Sequence, residues 1–167
     1  LKFEQYVTTR GQELLRLAYV LTGDPHRAED VVQTVLIDVM RKWDRIESTR
    51  DPHSYIRRMV VNAHLDWHRR RSSTEVPVAQ WPSDVQVQRD PADGIALRDQ
   101  LRVILAELPP RARTVLVLRY YLDLDDEAIS ETLGISASAV RSTAARALSR
   151  LRLDQSIQIG RDLHDSG

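Results

Sequence analysis

Between Ala28 and Trp43 the apolar residues Ala28, Val31, Val32, Val35, Leu36, Val39, Met40 and Trp43 recur at three- and four-residue steps over four turns. Such spacing puts them on one side of a helix and leaves that helix unstable until the stripe is covered. The residues before it offer a cover. Phe3, Tyr6, Val7, Leu14, Leu17, Ala18 and Leu21 form a second stripe over 2–21, loosened at Gly11. Asp24-Pro25 separates the two, with Asp24 as cap and Pro25 at the first helical position. After a polar loop from Glu47 to Arg50, Asp51-Pro52 starts a third helix in the same way. It runs to about Arg71 with Ile56, Met59, Val60, Ala63 and Trp67 facing inward. Residues 1–71 thus read as one small helical domain.

The pattern breaks over 72–94, where Ser72-Ser73, Pro77, Pro82 and Pro91 interrupt a net acidic stretch, and a flexible linker is expected. Its 23 residues reach at most ~75–83 Å extended and about 25 Å as a coil. Trp81 within it either docks on a partner or packs on a domain. A second helical domain is expected over 95–153. Leu97, Leu101, Ile104, Leu105 and Leu108 make a face ended by Pro109-Pro110, and the next helix runs to about Tyr121. Residues 154–167 read as a polar, frayed tail. Alternating strand patterns are absent, so the fold class is all-α, two small helical domains joined by a flexible linker.

The 24 basic and 24 acidic residues cancel, but they are not evenly spread. Arg57, Arg58, Arg69, Arg70 and Arg71 share one stretch with a single acid, Asp66, and Thr132–Leu153 holds four arginines and no acid. Phosphates respond to such local faces rather than to the net total. No cysteine is present, which excludes disulfides, thiol nucleophiles and thiolate metal sites. His64 and His68 sit four apart, but Leu65 stands where a hydrolytic zinc helix needs glutamate, so neither a metal nor a cofactor is expected. No nucleophile motif, glycine-rich phosphate loop or spaced acid pair supports an enzyme. With no long apolar run and no leader pattern, a soluble cytoplasmic protein without membrane insertion is expected.

Asp125–Arg150 has the form of a helix-turn-helix. Asp125 caps a short helix that ends at Leu133-Gly134, where the turn favours positive φ, and Ser136 caps the helix that follows. Ser130 is small enough for close helix approach. Val140, Ala144, Ala147, Leu148 and Leu151 form the inner stripe, while Ser138, Ala139, Arg141, Ser142, Ala145 and Arg146 point outward. Small residues interspersed with arginines let a backbone approach a major groove and a guanidinium fork reach a base or phosphate. From the residues alone, a DNA-binding regulator and a protein-binding helical adaptor both stay open.

Two blocks carry a resemblance. Ala28-Glu29-Asp30-Val31-Val32-Gln33, Trp43, Tyr55-Ile56-Arg57-Arg58 and Asn62 resemble region 2 of bacterial RNA polymerase sigma-70 factors. Leu108-Pro109-Pro110-Arg111-Ala112-Arg113, Val115–Tyr121, Leu133-Gly134-Ile135-Ser136, Val140-Arg141-Ser142 and Arg146-Ala147-Leu148 resemble region 4. The short spacing is similar to the extracytoplasmic-function (group 4) kind, and the wording to its actinobacterial sigma-E-like subgroup. The resemblance implies a factor that binds core RNA polymerase and directs initiation at promoters by reading −35 and −10 elements and helping to open the DNA. It implies that Glu29, Asp30, Gln33 and Asp38 meet the β′ clamp helices and that region 4 meets the β flap. It further implies that the loop Arg45–His53 with Arg57, Arg58, Asn62, His64, Arg69 and Arg71 serves the −10 element. Ser136, Ser138, Ala139, Arg141, Ser142 and Arg146 would serve the −35 element. An anti-sigma partner that masks both DNA faces is also implied.

Overall fold

The computed structural model describes the backbone of residues 2–73 and 103–164, and side chains over 2–71 and 103–152. The described residues are helical with no strand. The chain divides into two compact units, Leu1–Arg102 and Val103–Gly167, taken separately below. The expected linker core 74–94, Trp81, Leu97 and Leu101 lie outside the described residues.

In the first unit α1 (Phe3–Thr22), α2 (Pro25–Arg41), a short α3 (Trp43–Glu47) and α4 (Pro52–Ser73) follow one another. The breaks fall where local chemistry puts them. Gly23 closes α1 in the left-handed region at φ 69° and donates its N–H to the Tyr19 carbonyl. The Asp24 carboxylate accepts from His26 N at 3.0 Å, and that of Asp51 accepts from Ser54 N at 3.0 Å. Each thereby satisfies a backbone donor that the first helical turn leaves over.

α1, α2 and α4 pack against one another in all three pairings. Leu14, Leu17, Ala18 and Leu21 meet Val31, Val32, Val35 and Val39 of α2, Ile46 of α3, and Ile56, Val60 and Val61 of α4 in one buried core. Two expectations shift here. Met40, placed on the inner stripe of α2, is 55% exposed because its neighbour Val39 takes the inward position. Trp43 falls outside α2, opens α3, and packs its ring against Phe3 and Tyr6 at 5.6 and 5.4 Å between centroids.

In the second unit a helical turn at 103–106 leads to α5 (Pro110–Leu116), which widens into a π-helical turn at Val117–Tyr121. Leu122 N there donates to the Val117 carbonyl. Arg113 reaches back to cap the preceding turn, its guanidinium donating to the carbonyls of Leu105, Ala106 and Leu108 at 2.8, 3.1 and 3.2 Å. A basic residue in the Pro-Pro-Arg-Ala-Arg run is thus spent on structure. α6 (Asp126–Leu133) and α7 (Ala137–His164) complete the unit. α7 continues well past the expected end near Leu151, since no proline or other stop intervenes before Gly160. Leu108, Val115, Leu116, Val117, Leu118, Ile129, Val140, Ala144 and Ala147 form the core. Leu148 and Leu151, expected inside as well, are half-buried.

Candidate functional site

The second unit holds a helix-turn-helix whose turn is built by residues that the sequence singled out. Asp125 accepts from Ala128 N at 2.8 Å and caps α6. Gly134 takes φ 65° and donates to the Ser130 carbonyl at 2.9 Å. Nothing lies within 4 Å of a Cβ placed on Gly134, so glycine is favoured there by backbone conformation and not by crowding. Ser130 does more than stay small: its hydroxyl donates to the Ile135 carbonyl and closes the turn. The Ser136 hydroxyl accepts from Ala139 N at 3.1 Å and caps α7, so Ser136 has already used an acceptor on its own helix.

With Val140 and Ala144 wholly buried and Ala147 nearly so, the opposite side of α7 is set by helical geometry. Ser138, Arg141, Ser142, Ala145 and Arg146 are exposed and Ala139 is half-buried. These six residues make an outer face of small side chains carrying two guanidinium groups. Asp126 lies at its edge, pairing with Arg119 and standing 3.6 Å from Arg141.

In the first unit the residues expected on the DNA side of α4 differ in exposure. His64, expected at the surface, is fully buried, and Arg57 is half-buried with its guanidinium donating to Ser54 Oγ at 2.8 Å. The buried positions Ile56, Val60, Val61 and His64 turn the inner face toward Val61 and away from Met59 and Ala63, which are half-buried. Arg58, Asn62 and Arg69 are therefore left on the outer side. Tyr55, 44% exposed, joins them at helical spacing. The sequence reading missed Tyr55 as a surface residue, although its step of three to Arg58 and seven to Asn62 was visible.

Arg71, exposed near the end of the described side chains of α4, lies on the Trp67 side of the helix and not in line with Arg58, Asn62 and Arg69. Its guanidinium is 4.9 Å from the Trp67 ring centroid, and Arg27 of α2 stacks on Trp67 at 3.4 Å. Trp67 is thus half-buried under a guanidinium rather than packed in the aliphatic core. The His64 and His68 rings meet edge to face at 4.6 Å. No group of three or more His, Cys, Asp or Glu that could hold a metal occurs among the described residues.

On α2, Glu29, Asp30 and Gln33 are exposed. Asp38 is half-buried and lies 3.7 Å from Arg41. A 3.6-residue helix places Ile37 and Met40 in the middle of this face, and both are exposed. It is a mixed acidic and apolar surface, and its apolar half was not foreseen.

A polar junction ties α1 to the first turn of α4, directly after the break at 48–51. The expected loop Arg45–His53 is in part helical, since α3 runs to Glu47 and α4 starts at Pro52. Tyr6 O–H donates to His53 Nδ1 at 2.9 Å, and His53 Nε2 lies 3.1 Å from a Glu13 carboxylate oxygen. Neutral histidine with its proton on Nε2 satisfies both contacts. Burial pushes the Tyr6 hydroxyl up to about 12, so it remains a donor. Burial, helped by the Arg57 charge, lowers His53 below its ordinary 6.5, against the pull of Glu13. The neutral form is therefore favoured in the folded state. The stability it contributes is complete above about pH 6.5 and is lost as pH falls through the lower, folded-state value. Thermal unfolding across pH 7.5 to 5 is expected to show a larger drop in Tm for the natural chain than for His53→Gln. Parallel curves would refute this account.

The first unit matches the family model described as Sigma-70 region 2 over residues 6–74, and the second matches Sigma-70, region 4 over 98–151. The RNA polymerase sigma-E factor of Streptomyces avermitilis is 42% identical over 152 residues, covering 91% of this chain and 84% of that protein. The RNA polymerase sigma-E factor of Streptomyces coelicolor is 40% identical over 154 residues, with 91% and 85% covered. The crystal structure of the sigma factor RpoE in complex with the anti-sigma factor NepR from Bartonella quintana shares the fold. Its TM-score is 0.69 at 21% identity, covering 90% of this chain and 94% of that one. Among the described residues no helix is long and apolar enough to cross a membrane. The helix-turn-helix, the region 2 core before it and these matches lead to one conclusion: the chain belongs to the sigma-70 family as an extracytoplasmic-function sigma factor of the sigma-E kind, a transcription initiation factor and not an enzyme.

Proposed function

We propose that the two units divide the work of initiation between them, in the cytoplasm and on one promoter. The residues 1–71 bind core RNA polymerase and serve the −10 element, 95–153 serve the −35 element, and 72–94 link them. The observation that carries the reading is the outer face of α7. Arg141 and Arg146 stand exposed among Ser138, Ser142 and Ala145, on a helix whose opposite side is fixed in the core by Val140, Ala144 and Ala147. Such a face fits a major groove, where small side chains permit close approach and a guanidinium contacts two acceptors of guanine.

In the first unit, Arg58, Arg69 and Arg71 contact phosphates and Asn62 a base edge. Tyr55 adds an exposed ring on which an unstacked base can rest. His64 is left out of this set, because its imidazole is enclosed by the core. On α2, Glu29, Asp30 and Gln33 meet the clamp helices of the β′ subunit, and Ile37 and Met40 supply apolar contact at the centre of the patch. Charged rims around an apolar centre are the usual build of a protein interface. The second unit meets the β flap. An anti-sigma protein that covers these faces is the natural means of restraint, a reading supported by the resemblance in fold to a sigma factor crystallised with one.

Run-off transcription with purified core polymerase tests the proposal. The chain is expected to give promoter-dependent transcripts only when polymerase is present. Glu29→Lys with Asp30→Lys is expected to weaken binding to core polymerase about tenfold or more. Binding of the isolated chain to −35 DNA should be unchanged. Undiminished polymerase binding in a titration of the double variant would remove α2 from the interface.

A further inference from the structure

Asp126 opens α6, the supporting helix of the helix-turn-helix, yet it is not that helix's cap, a role that Asp125 fills. Its carboxylate joins side chains from two other elements. One oxygen accepts from the guanidinium of Arg119 in the π-helical turn, and the other lies 3.6 Å from Nη1 of Arg141 on α7. The Arg119 and Asp126 side chains are 24% and 21% exposed, whereas that of Arg141 is 59% exposed. The carboxylate is therefore held from behind by a well-covered arginine, and it presents its second oxygen to an arginine that is free to choose among rotamers.

That choice matters at a DNA surface. A guanidinium at the edge of a groove can turn to a phosphate, which carries no sequence information, or to a base edge, which does. A fixed carboxylate beside it favours orientations that keep the charge pair. The same carboxylate also repels phosphate oxygens approaching that side of the arginine. We propose that Asp126 is a specificity-determining residue acting through Arg141: the Arg119–Asp126–Arg141 relay holds the Arg141 guanidinium for base reading and opposes its capture by the phosphate backbone. Arg119, and secondarily Arg141, hold the Asp126 carboxyl below its ordinary range, so the relay is charged at neutral pH. The inference rests on the assignment of α7 to −35 DNA.

The test uses holoenzyme assembled from core polymerase and the full chain. It is offered linear promoter fragments randomised across the −35 element and constant at −10, and the retained DNA is sequenced. Arg141→Ala is expected to flatten preference at the positions that Arg141 reads. Asp126→Asn is expected to flatten the same positions about fivefold or more, while total retention at raised salt stays equal or increases. Asp126→Glu, which keeps a carboxylate for both arginines, is expected to retain most of the preference. If Asp126→Asn keeps the natural preference where Arg141→Ala loses it, the relay is refuted and the −35 assignment stands. Should Asp126→Asn lower Tm and reduce retention of all sequences in equal proportion, the residue is structural and the proposal fails. If Arg141→Ala and Arg146→Ala both enrich the same sequences as the natural chain, the −35 assignment itself has failed.

Discussion

Exchanging Arg141 and Arg146 together for glutamate is expected to reduce −35-dependent initiation by about a hundredfold or more. Two attractive charges become two repulsive ones beside phosphates, and any bidentate base contact, worth about 1–3 kcal/mol each, is lost with them. Both side chains are exposed and lie across α7 from Val140, Ala144 and Ala147, so the core has no reason to change. The Tm of the second unit should stay within a few degrees, and binding to core polymerase through the first unit should persist. The corresponding alanine pair should bind DNA more weakly with a salt dependence shallower by about two ions. Run-off transcription, DNA titration at several salt concentrations and thermal unfolding check the three parts. Normal initiation by the glutamate pair would show that α7 does not face DNA.

Ile129→Ala is expected to have the largest effect on folding. Ile129 is fully buried on α6 within a core that also includes Val115, Leu118 and Val140. Removing its outer carbons leaves a cavity, and such truncations cost about 2–5 kcal/mol. A unit of this size has total stability of only about 3–9 kcal/mol at typical values per residue. Much of the second unit should therefore unfold near physiological temperature, with the helix-turn-helix lost as a body. Amide exchange is expected to rise throughout 108–151 and to stay slow in the core of α1 and α2. Uniform exchange in both units would mean that they do not fold separately, and an unchanged second unit would mean that α6 is not part of its core.

Most of the architecture was legible because its punctuation is local. Asp24-Pro25, Asp51-Pro52, Asp125, Gly134 and Ser136 each act within four residues of their own position, and each shapes the backbone as its chemistry requires. The outer face of α7 was legible for a related reason. Its inner stripe is narrow, so the assignment of Val140 and Ala144 inward leaves a single outward set.

α4 was harder. Ile56 and Val60 are inward under either phase, but Met59 and Ala63 flank them on one side while Val61 and His64 flank them on the other. A stripe that could lean either way does not settle its own orientation. The approach of α1 and α2 settled it, burying His64 and exposing Tyr55, Asn62 and Arg69. Met40 was misplaced because it lies a helical step of about 100° beyond Val39, off the arc that Val31, Val32, Val35 and Val39 bury.

What the sequence by itself determined were the elements: where helices begin, where they stop, and that one turn needs positive φ. Helical hydrogen bonds and caps connect neighbours in the chain, so their signals survive in one dimension. What only the tertiary structure decided were the meetings of distant residues. Tyr6 with His53, Arg27 with Trp67, and Asp126 with Arg119 and Arg141 leave no periodic trace. Such contacts depend on the angle and distance at which whole helices pack, and those follow from side-chain shape across a core rather than from the spacing of residues along a helix.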